Sequence, residues 1–378
     1  MKTKLLKINK SLAFFLMIAF AILINTRLAK AADGELTAMS VVTGKEDIEE
    51  FKYEGTAEYD ESKYETASVV ELTTKSSGIL RFYYQGDNTE SVSIYLYDNE
   101  DLDNYISMDS ISASSQEDVT DGFKVPKAGT YYVKIRSYQD ESFDFTLAAD
   151  IYSADDQTLK SGKSTLFSLL DSKDENYYKF TTTKSGKVKI YTSKIDGKDC
   201  YIDVSVFQKV NGKMKLVVPS RSEADGSAVG LSKGTYYIKV SGGSSYQLYS
   251  IKYTFTAITD KSGSTKAKAS KMTLGKASTG LVLVSDKKSK EDWYKVTLTK
   301  TKAVTLTVKG EVSDSITITF YNSKGSEFGS LYLSEYTTED AGTPYDNYSK
   351  KTLSKGTYYI KVTKDENNSS GSYSITLK

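Results

Sequence analysis

The sequence LSKGTYYIKV occurs twice in this chain, at Leu231–Val240 and at Leu353–Val362, and the close variant KAGTYYVKI occupies Lys127–Ile135. Apolar and polar residues alternate along all three copies, which is the two-residue period of a half-buried β-strand. A glycine precedes the alternation in every copy, as is typical of a turn that leads into a strand. Three copies of one strand therefore indicate a β-unit that is repeated in tandem.

A second shared sequence lies about fifty residues before each of these strands, a distance typical of a repeated structural unit. Its copies are TTKSSGILRF at Thr73–Phe82, TTTKSGKVKI at Thr181–Ile190 and TLTKTKAVTL at Thr297–Leu306. Each copy reads as a strand, a short polar turn and a second strand, which predicts a β-hairpin. Because two markers recur in the same order three times, we interpret the chain as three copies of one domain type.

The alternation also predicts the fold class and the core. Tyrosine, a strand-forming residue, accounts for 30 of the 378 residues, and proline for only 3. No segment after the N-terminal apolar run shows the 3.6-residue apolar stripe of a helix. We therefore predict an all-β protein of three tandem jelly-roll-like β-sandwich domains. The predicted core-facing residues of the shared strand are Tyr131, Val133, Ile135, Tyr236, Ile238, Val240, Tyr358, Ile360 and Val362.

The two markers and the strands that close each unit predict the domain boundaries. Residues 1–31 form a signal peptide that is cleaved, 32–150 the first β-sandwich, 151–260 the second and 261–378 the third. Residues 261–271 are polar and rich in small side chains, which predicts a flexible linker at the start of the third domain.

The N-terminus has the pattern of a secretory signal peptide. Lysines precede an uncharged apolar run at Leu12–Ile24, and Ala29 and Ala31 are small residues suited to cleavage. This run is shorter than the roughly 20 residues of a transmembrane helix, which argues against an uncleaved anchor. We expect a secreted protein, extracellular or associated with the cell surface, whose mature chain has no membrane span. The one cysteine, Cys200, excludes an intrachain disulfide and is interpreted as a small buried side chain.

Three stretches of the second repeat resemble a known family. They are DENYYKF at Asp174–Phe180, KSGKVKI at Lys184–Ile190 and GTYYIKV at Gly234–Val240. They look like the bacterial pre-peptidase C-terminal domain and are similar to clostridial collagenase collagen-binding domains. In the first repeat, SVVEL at Ser68–Leu72 stands where the Asp-Tyr phrase would be. The resemblance implies jelly-roll β-sandwiches of this length, of the kind appended to secreted peptidases or surface proteins.

The sequence contains no histidine, which limits the catalytic chemistry. The Ser-His-Asp and Cys-His arrangements and the zinc-peptidase helix motif all require it. A pair of carboxylates can hydrolyse a glycoside without histidine, so a glycoside hydrolase stays as the third alternative. No particular pair stands out among 49 acidic residues. We therefore expect a non-catalytic protein with no catalytic residues.

Calcium is the one cofactor that the resemblance implies. Many relatives bind it through acidic residues beside the Tyr-x-Phe strand, and the matching positions here are Asp174, Asn176 and Asp292. The Glu-Pro-Asn-Asp-like phrase that completes such sites does not occur in this sequence. Because calcium takes six to eight oxygen ligands, these few positions make it a candidate cofactor and no more.

Charge is distributed unevenly between the predicted domains. Residues 32–150 contain 26 acidic and 9 basic residues (net −17), residues 151–260 contain 11 and 16 (net +5), and residues 261–378 contain 12 and 19 (net +7). Such an asymmetry bears on partners rather than on the fold. It indicates either an anionic partner for the two basic domains, such as a wall polymer, or drift in surface composition. A secreted chain of this kind is not expected to bind nucleic acid.

Tyrosines beside lysines are the candidate ligand-binding residues, because tyrosine combines a large apolar ring with a polar hydroxyl. Collagen-binding relatives, to which the chain is similar, use exposed tyrosines near their closing strands. The candidates are the outward positions of the shared strand and tyrosines on nearby strands: Tyr237, Lys239, Tyr246, Tyr249, Tyr253, Tyr359 and Lys361.

These observations predict a secreted, non-catalytic protein that binds an extracellular polymer through tandem β-sandwich modules. The polymer is a cell-wall or other polysaccharide, or a fibrous protein such as collagen. Several weak sites on one chain would reinforce each other on a repetitive ligand. The alternative is a structural spacer or an assembly subunit of the cell surface with no dedicated ligand.

Overall fold

The computed structural model describes the chain in nine segments. They are residues 37–40, 53–112, 117–171, 173–195, 202–222, 225–242, 247–322, 324–334 and 351–378. The predicted signal peptide (1–31), Cys200 and Tyr246 lie outside the described residues. Every helix or strand assigned within these segments is a β-strand, which confirms the predicted all-β class. In the same segments, no helix is long and apolar enough to cross a membrane.

The chain falls into two compact units, divided between Ser153 and Ala154. The first unit contains the first sandwich, whose two sheets have the orders β6-β5-β9-β3 and β2-β10-β4-β7. Residues 53–57 of β2 pair with β10 and residues 58–60 with β3, so this strand joins both sheets. The strands of this unit in the described segments are β1 (Thr37–Ser40), β2 (Tyr53–Asp60), β3 (Glu65–Thr74), β4 (Gly78–Gly86), β5 (Val92–Tyr97), β6 (Tyr105–Ile111), β7 (Glu117–Val119), β8 (Phe123–Val125), β9 (Gly129–Ser137) and β10 (Phe143–Ser153).

The second unit contains two further sandwiches, here called the second and third sandwich. The strands of the second sandwich are β11 (Gln157–Thr158), β12 (Ser164–Leu169), β13 (Glu175–Thr182), β14 (Gly186–Lys194), β15 (Asp203–Val210), β16 (Lys213–Ser222), β17 (Asp225–Leu231), β18 (Gly234–Ser241) and β19 (Gln247–Ala257). The strands of the third sandwich are β20 (Ser270–Lys271), β21 (Ser278–Val282), β22 (Glu291–Leu298), β23 (Lys302–Val304), β24 (Leu306–Ser313), β25 (Ser315–Tyr321), β26 (Glu327–Ser334), β27 (Lys351–Leu353), β28 (Gly356–Lys364) and β29 (Ser370–Leu377).

One pairing order recurs in all three sandwiches. The sheet β13-β18-β15-β16 of the second sandwich corresponds to β22-β28-β25-β26 in the third and to β3-β9-β5-β6 in the first. The opposite sheets are β12-β19-β14-β17 and β21-β29-β24, with β2-β10-β4 as the counterpart in the first sandwich. In the second sandwich the chain crosses from sheet to sheet between β12 and β15 and again between β16 and β19, whereas β15 and β16 form a hairpin within one sheet. Repeated crossing between two sheets is typical of a β-sandwich.

Each sandwich has its own core between its two sheets. The core-facing residues predicted from the shared strand are buried in all three copies, with exposed fractions of 0 to 8%. The period-two alternation was sufficient to place them, because successive side chains of a strand point to opposite sides of the sheet.

The second and third sandwiches contact each other through β17. The carbonyl of Gly230 accepts a hydrogen bond from Val284 N at 2.9 Å. A Cβ on Gly230 would lie 2.0 Å from the carbonyl oxygen of Val282, so the two backbones approach too closely for any larger residue. Nearby, Lys187 forms an ion pair with Glu311 across the contact.

The predicted linker at residues 261–271 differs from the sequence-based expectation, because it is bonded to the third sandwich. Gly263 exchanges two backbone hydrogen bonds with Trp293, at 2.9 and 2.7 Å. Ala269 and Met272, which flank β20, are 5% and 3% exposed. Two apolar side chains spaced within a polar stretch thus anchor this segment to the domain that follows it.

Candidate functional site

Aromatic rings and a lysine occupy the outward side of the sheet β13-β18-β15-β16 in the second sandwich. Phe207 lies opposite Tyr237 in the strand register. Tyr177 lies opposite Lys239, and its ring centroid is 6.4 Å from that of Phe207. Cross-strand partners project to the same side of a sheet, so these four side chains form one surface. We call it the second aromatic face.

Glu175 holds Lys239 of this face in place through an ion pair. Lys239 forms an ion pair with Glu175, and the hydroxyl of Tyr177 donates a hydrogen bond to the same carboxylate at 3.1 Å. The hydrogen bond between the charged groups lowers the pKa of Glu175 and raises the pKa of Lys239. Both side chains are therefore charged at neutral pH and held beside the rings.

The third sandwich carries an equivalent surface, the third aromatic face. The rings of Trp293 and Tyr321 are 5.6 Å apart. Lys361 Nζ lies 5.9 Å from the Trp293 ring and 5.7 Å from the Tyr321 ring. Lys266 Nζ lies 5.0 Å from the ring of Tyr359 and 5.6 Å from that of Tyr321. Lysine ammonium groups over aromatic rings at these distances are attracted by the ring quadrupole.

A glutamate again anchors the lysine of the third aromatic face. Lys361 Nζ lies 3.6 Å from Glu291 Oε1. Trp293 Nε1 donates a hydrogen bond to Glu291 Oε2 at 2.8 Å. The carboxylate thus orients both a ring and a cation, as Glu175 does in the second sandwich.

The first sandwich has a third version of this surface, the first aromatic face. Its rings are Tyr95, Tyr97 and Tyr105, with centroids 5.4 Å apart for Tyr95 and Tyr105 and 6.4 Å apart for the other two pairs. Tyr105 is 53% exposed. Lys134 on the neighbouring strand forms an ion pair with Glu65 at 2.8 Å.

Arg136 extends the first aromatic face beyond the pattern of the other two. Its guanidinium forms an ion pair with Glu65 at 2.6 Å and lies 4.4 Å from the ring centroid of Tyr138. Tyr138 is 68% exposed. This face therefore presents two exposed tyrosines beside two fixed cations.

The three faces share one arrangement that the shared strand explains. Lys134, Lys239 and Lys361 occupy the same position in the three copies of that strand. Each pairs with a glutamate at or near the start of the adjacent strand β3, β13 or β22. Aromatic rings surround each pair: Tyr97 and Trp293 are only 7% exposed, whereas Tyr105 is 53% exposed. An exposed ring of this kind offers apolar contact area with few lost rotamers on binding. The arrangement provides aromatic rings beside a fixed pair of opposite charges.

Four of the residues predicted from the sequence lie on these faces. They are Tyr237, Lys239, Tyr359 and Lys361. The prediction that Tyr249 and Tyr253 join an outward surface is wrong. Both belong to the central strand β19 of the opposite sheet and point into the core, with exposed fractions of 0% and 5%. Tyr246 lies outside the described residues, and its role stays a prediction.

Most ring residues of the faces were not found by sequence reasoning. They lie on β5, β6, β13, β15, β22 and β25, outside the repeated phrase. The signal that could have found them is the same alternation in runs such as SIYLY at 93–97 and SITITFY at 315–321, read together with the pairing order. The missed residues are Tyr95, Tyr97, Tyr105, Tyr177, Phe207, Trp293 and Tyr321.

The calcium candidates of the second sandwich have other partners. Asp174 Oδ2 accepts hydrogen bonds from the backbone N–H groups of Leu170 and Asp171, at 2.7 and 3.1 Å. Asn176 directs its amide nitrogen at Ser168 O (2.8 Å) and at the hydroxyl of Tyr178 (2.9 Å). A turn-closing carboxylate and an amide that donates do not fit the six to eight oxygen ligands of calcium.

The third candidate, Asp292, is in a different environment. It is 2% exposed, and its Oδ2 accepts a hydrogen bond from the Tyr373 hydroxyl at 2.9 Å. Burial raises the pKa of Asp292, and the charge of Lys290 offsets part of that rise. Among the described residues, no cluster of three or more acidic, cysteine or histidine side chains has the arrangement of a metal site.

Comparisons with known proteins give low similarity. No protein-family model matches the chain, and no curated protein matches it either. A solved pre-peptidase C-terminal domain of collagenase from Bacillus anthracis is similar at 13% identity, over 32% of this chain and 99% of that one, with a TM-score of 0.24. The PBSX exported protein XepA is similar at 8% identity, over 60% and 100%, with a TM-score of 0.21. The periplasmic lysozyme inhibitor PliG of Salmonella Typhimurium is similar at 14% identity, over 27% and 99%, with a TM-score of 0.19. At these TM-scores the similarities establish neither the family nor the ligand of this chain.

Proposed function

We propose that this protein is a secreted, non-catalytic module that binds an extracellular polysaccharide through its aromatic faces. The observation that carries the proposal is the recurrence of one arrangement, rings around a lysine–glutamate pair, on the same sheet of all three sandwiches. A core requires no such recurrence, because these side chains point away from it.

The chemistry of the faces favours a sugar polymer. The apolar face of a sugar ring packs on an aromatic ring, and the fixed Lys and Glu side chains can exchange hydrogen bonds with hydroxyl groups. Residues 151–378 carry a net charge of +12 (35 basic and 23 acidic residues), so the second and third faces favour an anionic polysaccharide. A fibrous protein such as collagen is the second candidate ligand, since exposed tyrosines also suit protein surfaces.

Two other functions lead to different expectations. A structural spacer would need no outward aromatic rings and would show no saturable binding. A glycoside hydrolase would need two carboxylates across a cleft, about 5 to 10 Å apart. The carboxylates of the faces are instead each engaged by a lysine, which supports binding over hydrolysis.

Co-sedimentation tests the proposal. Purified protein from residue 32 to residue 378 is mixed with cell walls of the producing organism or with insoluble collagen, at low and high salt. We expect saturable pelleting with walls that weakens as salt screens the basic sandwiches. Salt-resistant pelleting with collagen alone would assign the faces to a fibrous protein. Protein that stays in the supernatant throughout would favour the spacer.

A further inference from the structure

A loop in the third sandwich presents oxygen atoms that are held by a buried lysine. Lys364, at the end of β28, is 4% exposed. Its ammonium group donates to three main-chain carbonyl oxygens of the loop after β21: Leu283 and Val284, each at 3.3 Å, and Asp286 at 3.0 Å. One ammonium group thus binds three carbonyl oxygens of a single turn, as a bound metal ion does in an oxygen-rich loop.

A second lysine, Lys290, forms ion pairs with three carboxylates beside the same loop. Lys290 Nζ lies 3.0 Å from Asp286 Oδ2, 3.5 Å from Asp292 Oδ1 and 3.8 Å from Asp260 Oδ2. Asp286 also accepts a hydrogen bond from Leu283 N at 2.8 Å, which closes the loop. Asp260 precedes the third sandwich and Asp292 belongs to β22, so Lys290 joins three separate segments of the chain.

The equivalent position in the second sandwich has neither the buried carboxylate of Asp292 nor the charge of Lys290. Asn176 and Asp292 are each the second residue of the equivalent strands β13 and β22, and they lie opposite Val240 and Val362. Asn176 is neutral and its amide nitrogen is hydrogen-bonded at both donors. No counter-charge is needed there, whereas a buried carboxylate at Asp292 requires one.

We propose that Lys290 and Lys364 serve as built-in cations of the third sandwich, holding the loop Leu283–Asp286 and the carboxylates of Asp260 and Asp292 without a divalent metal. Lys290 Nζ lies 3.0 to 3.8 Å from the three carboxylates, so its positive charge stands where a buried carboxylate such as Asp292 needs a counter-ion. This assignment departs from the expectation of calcium at Asp292. It also implies that removing the Lys290 charge leaves three carboxylates without a counter-ion, which would have to rearrange to bind a cation because they do not have the arrangement of a metal site here.

Thermal unfolding of the full chain in EDTA and in calcium chloride tests the assignment. We expect Lys290→Gln to lower the melting temperature in EDTA, and calcium to restore it by roughly 5–10 °C at about 100 times the Kd. For the wild-type chain we expect no calcium response that depends on Asp292. Lys276→Gln, which removes an exposed lysine of the same sandwich, is the matched control and should behave as wild type.

If Lys290→Gln folds poorly, a variant that removes both the Lys290 and the Asp292 charge still tests the assignment. The double variant Lys290→Gln with Asp292→Asn reproduces the neutral state of the second sandwich. We expect it to regain most of the lost stability and to gain no calcium response. The assignment is overturned if wild-type protein is stabilised by calcium and Asp292→Asn abolishes that effect. It is equally overturned if Lys290→Gln is destabilised without any calcium response, or if the double variant is as unstable as the single one.

Discussion

At the residue scale, the position of the hydroxyl group separates structural tyrosines from those that can meet a ligand. Tyr178 and Tyr249 are fully buried, with their hydroxyl oxygens 2.6 Å apart. Tyr294 and Tyr373 repeat this pair in the third sandwich at 3.1 Å. Burial raises the pKa of the Tyr178, Tyr294 and Tyr373 phenols, so these three do not ionise near neutral pH. These four tyrosines therefore stabilise the cores of the second and third sandwiches.

Substitution of Tyr249 by phenylalanine tests this structural role. Tyr249→Phe removes the hydrogen bond to Tyr178, and we expect a loss of about 1 kcal/mol in the free energy of unfolding, measured with urea. Polymer binding should be unchanged. The matched control is Tyr237→Phe on the second aromatic face, which should alter stability by less than about 0.5 kcal/mol. Weaker binding by Tyr249→Phe at unchanged stability would contradict the assignment.

The same two tyrosines show what the sequence could and could not predict. Alternation within the shared strand placed Tyr236 inward and Tyr237 outward, because the glycine turn and the apolar run define the parity. Strand β19 contains Tyr249 and Tyr253 at equal parity, but their side depends on which sheet the strand joins. That information lies in long-range pairing with β12 and β14, which no local pattern contains.

At the element scale, β17 determines how the second and third sandwiches meet. Gly230 lies on this edge strand, and its missing side chain allows the carbonyl of Val282 and the amide of Gly371 to approach, at 2.0 and 3.0 Å from where a Cβ would stand. Because both neighbours are backbone atoms, a side chain here cannot be accommodated by rotation. Residues 261–271, which their polar composition predicted to be a flexible linker, are hydrogen-bonded to the third sandwich at Gly263.

Gly230→Ala tests the contact. We expect a loss of about 1–3 kcal/mol in stability through overpacking, and separation of the unfolding of the second unit into two transitions in calorimetry. Gly129→Ala is the matched control, because a Cβ there would first meet the ring of Tyr131 at 4.0 Å. An unchanged calorimetric trace for Gly230→Ala would show that β17 does not couple the two sandwiches.

At the scale of the whole molecule, charge links stability to pH as well as to ligand. Burial works against ionisation of Glu311, but the hydrogen bond and charge of Lys187, with the charge of Lys189, outweigh it and lower the pKa of this carboxyl below its usual 4.5. A carboxyl with a lowered folded-state pKa contributes stability above its unfolded value. That contribution is lost as the pH falls below 4.5 toward the folded-state pKa.

The melting temperature of wild-type protein and Glu311→Gln, measured between about pH 3 and pH 6, tests this linkage. We expect wild type to be the more stable above pH 4.5, and the difference to shrink as the pH falls. Other carboxylates titrate in the same range, so the difference between the two proteins is the quantity to follow. A difference that stays constant across this range would refute a role for the Glu311 charge.

The acidic first sandwich and the basic second and third sandwiches carry the same kind of face, so the proposed binding would rest on the repeated fold, with net charge adding to it in the second and third sandwiches. The lysine of each face and the inward residues of its strand follow from one strand phrase copied three times. The ligand does not follow from it, because most rings of the faces come from strands with dissimilar sequences, such as β5, β15 and β25.

The most direct test is the fraction of protein bound to cell walls when one ring of each face is removed. The variant combines Tyr105→Ala, Phe207→Ala and Tyr359→Ala, and the control is Tyr64→Ala, a tyrosine that is 73% exposed and lies outside the faces. With folding verified by circular dichroism, we predict that the triple variant loses roughly tenfold or more in affinity while the control binds as wild type does. Equal binding by the triple variant and wild type would contradict the claim that the aromatic faces bind the polymer.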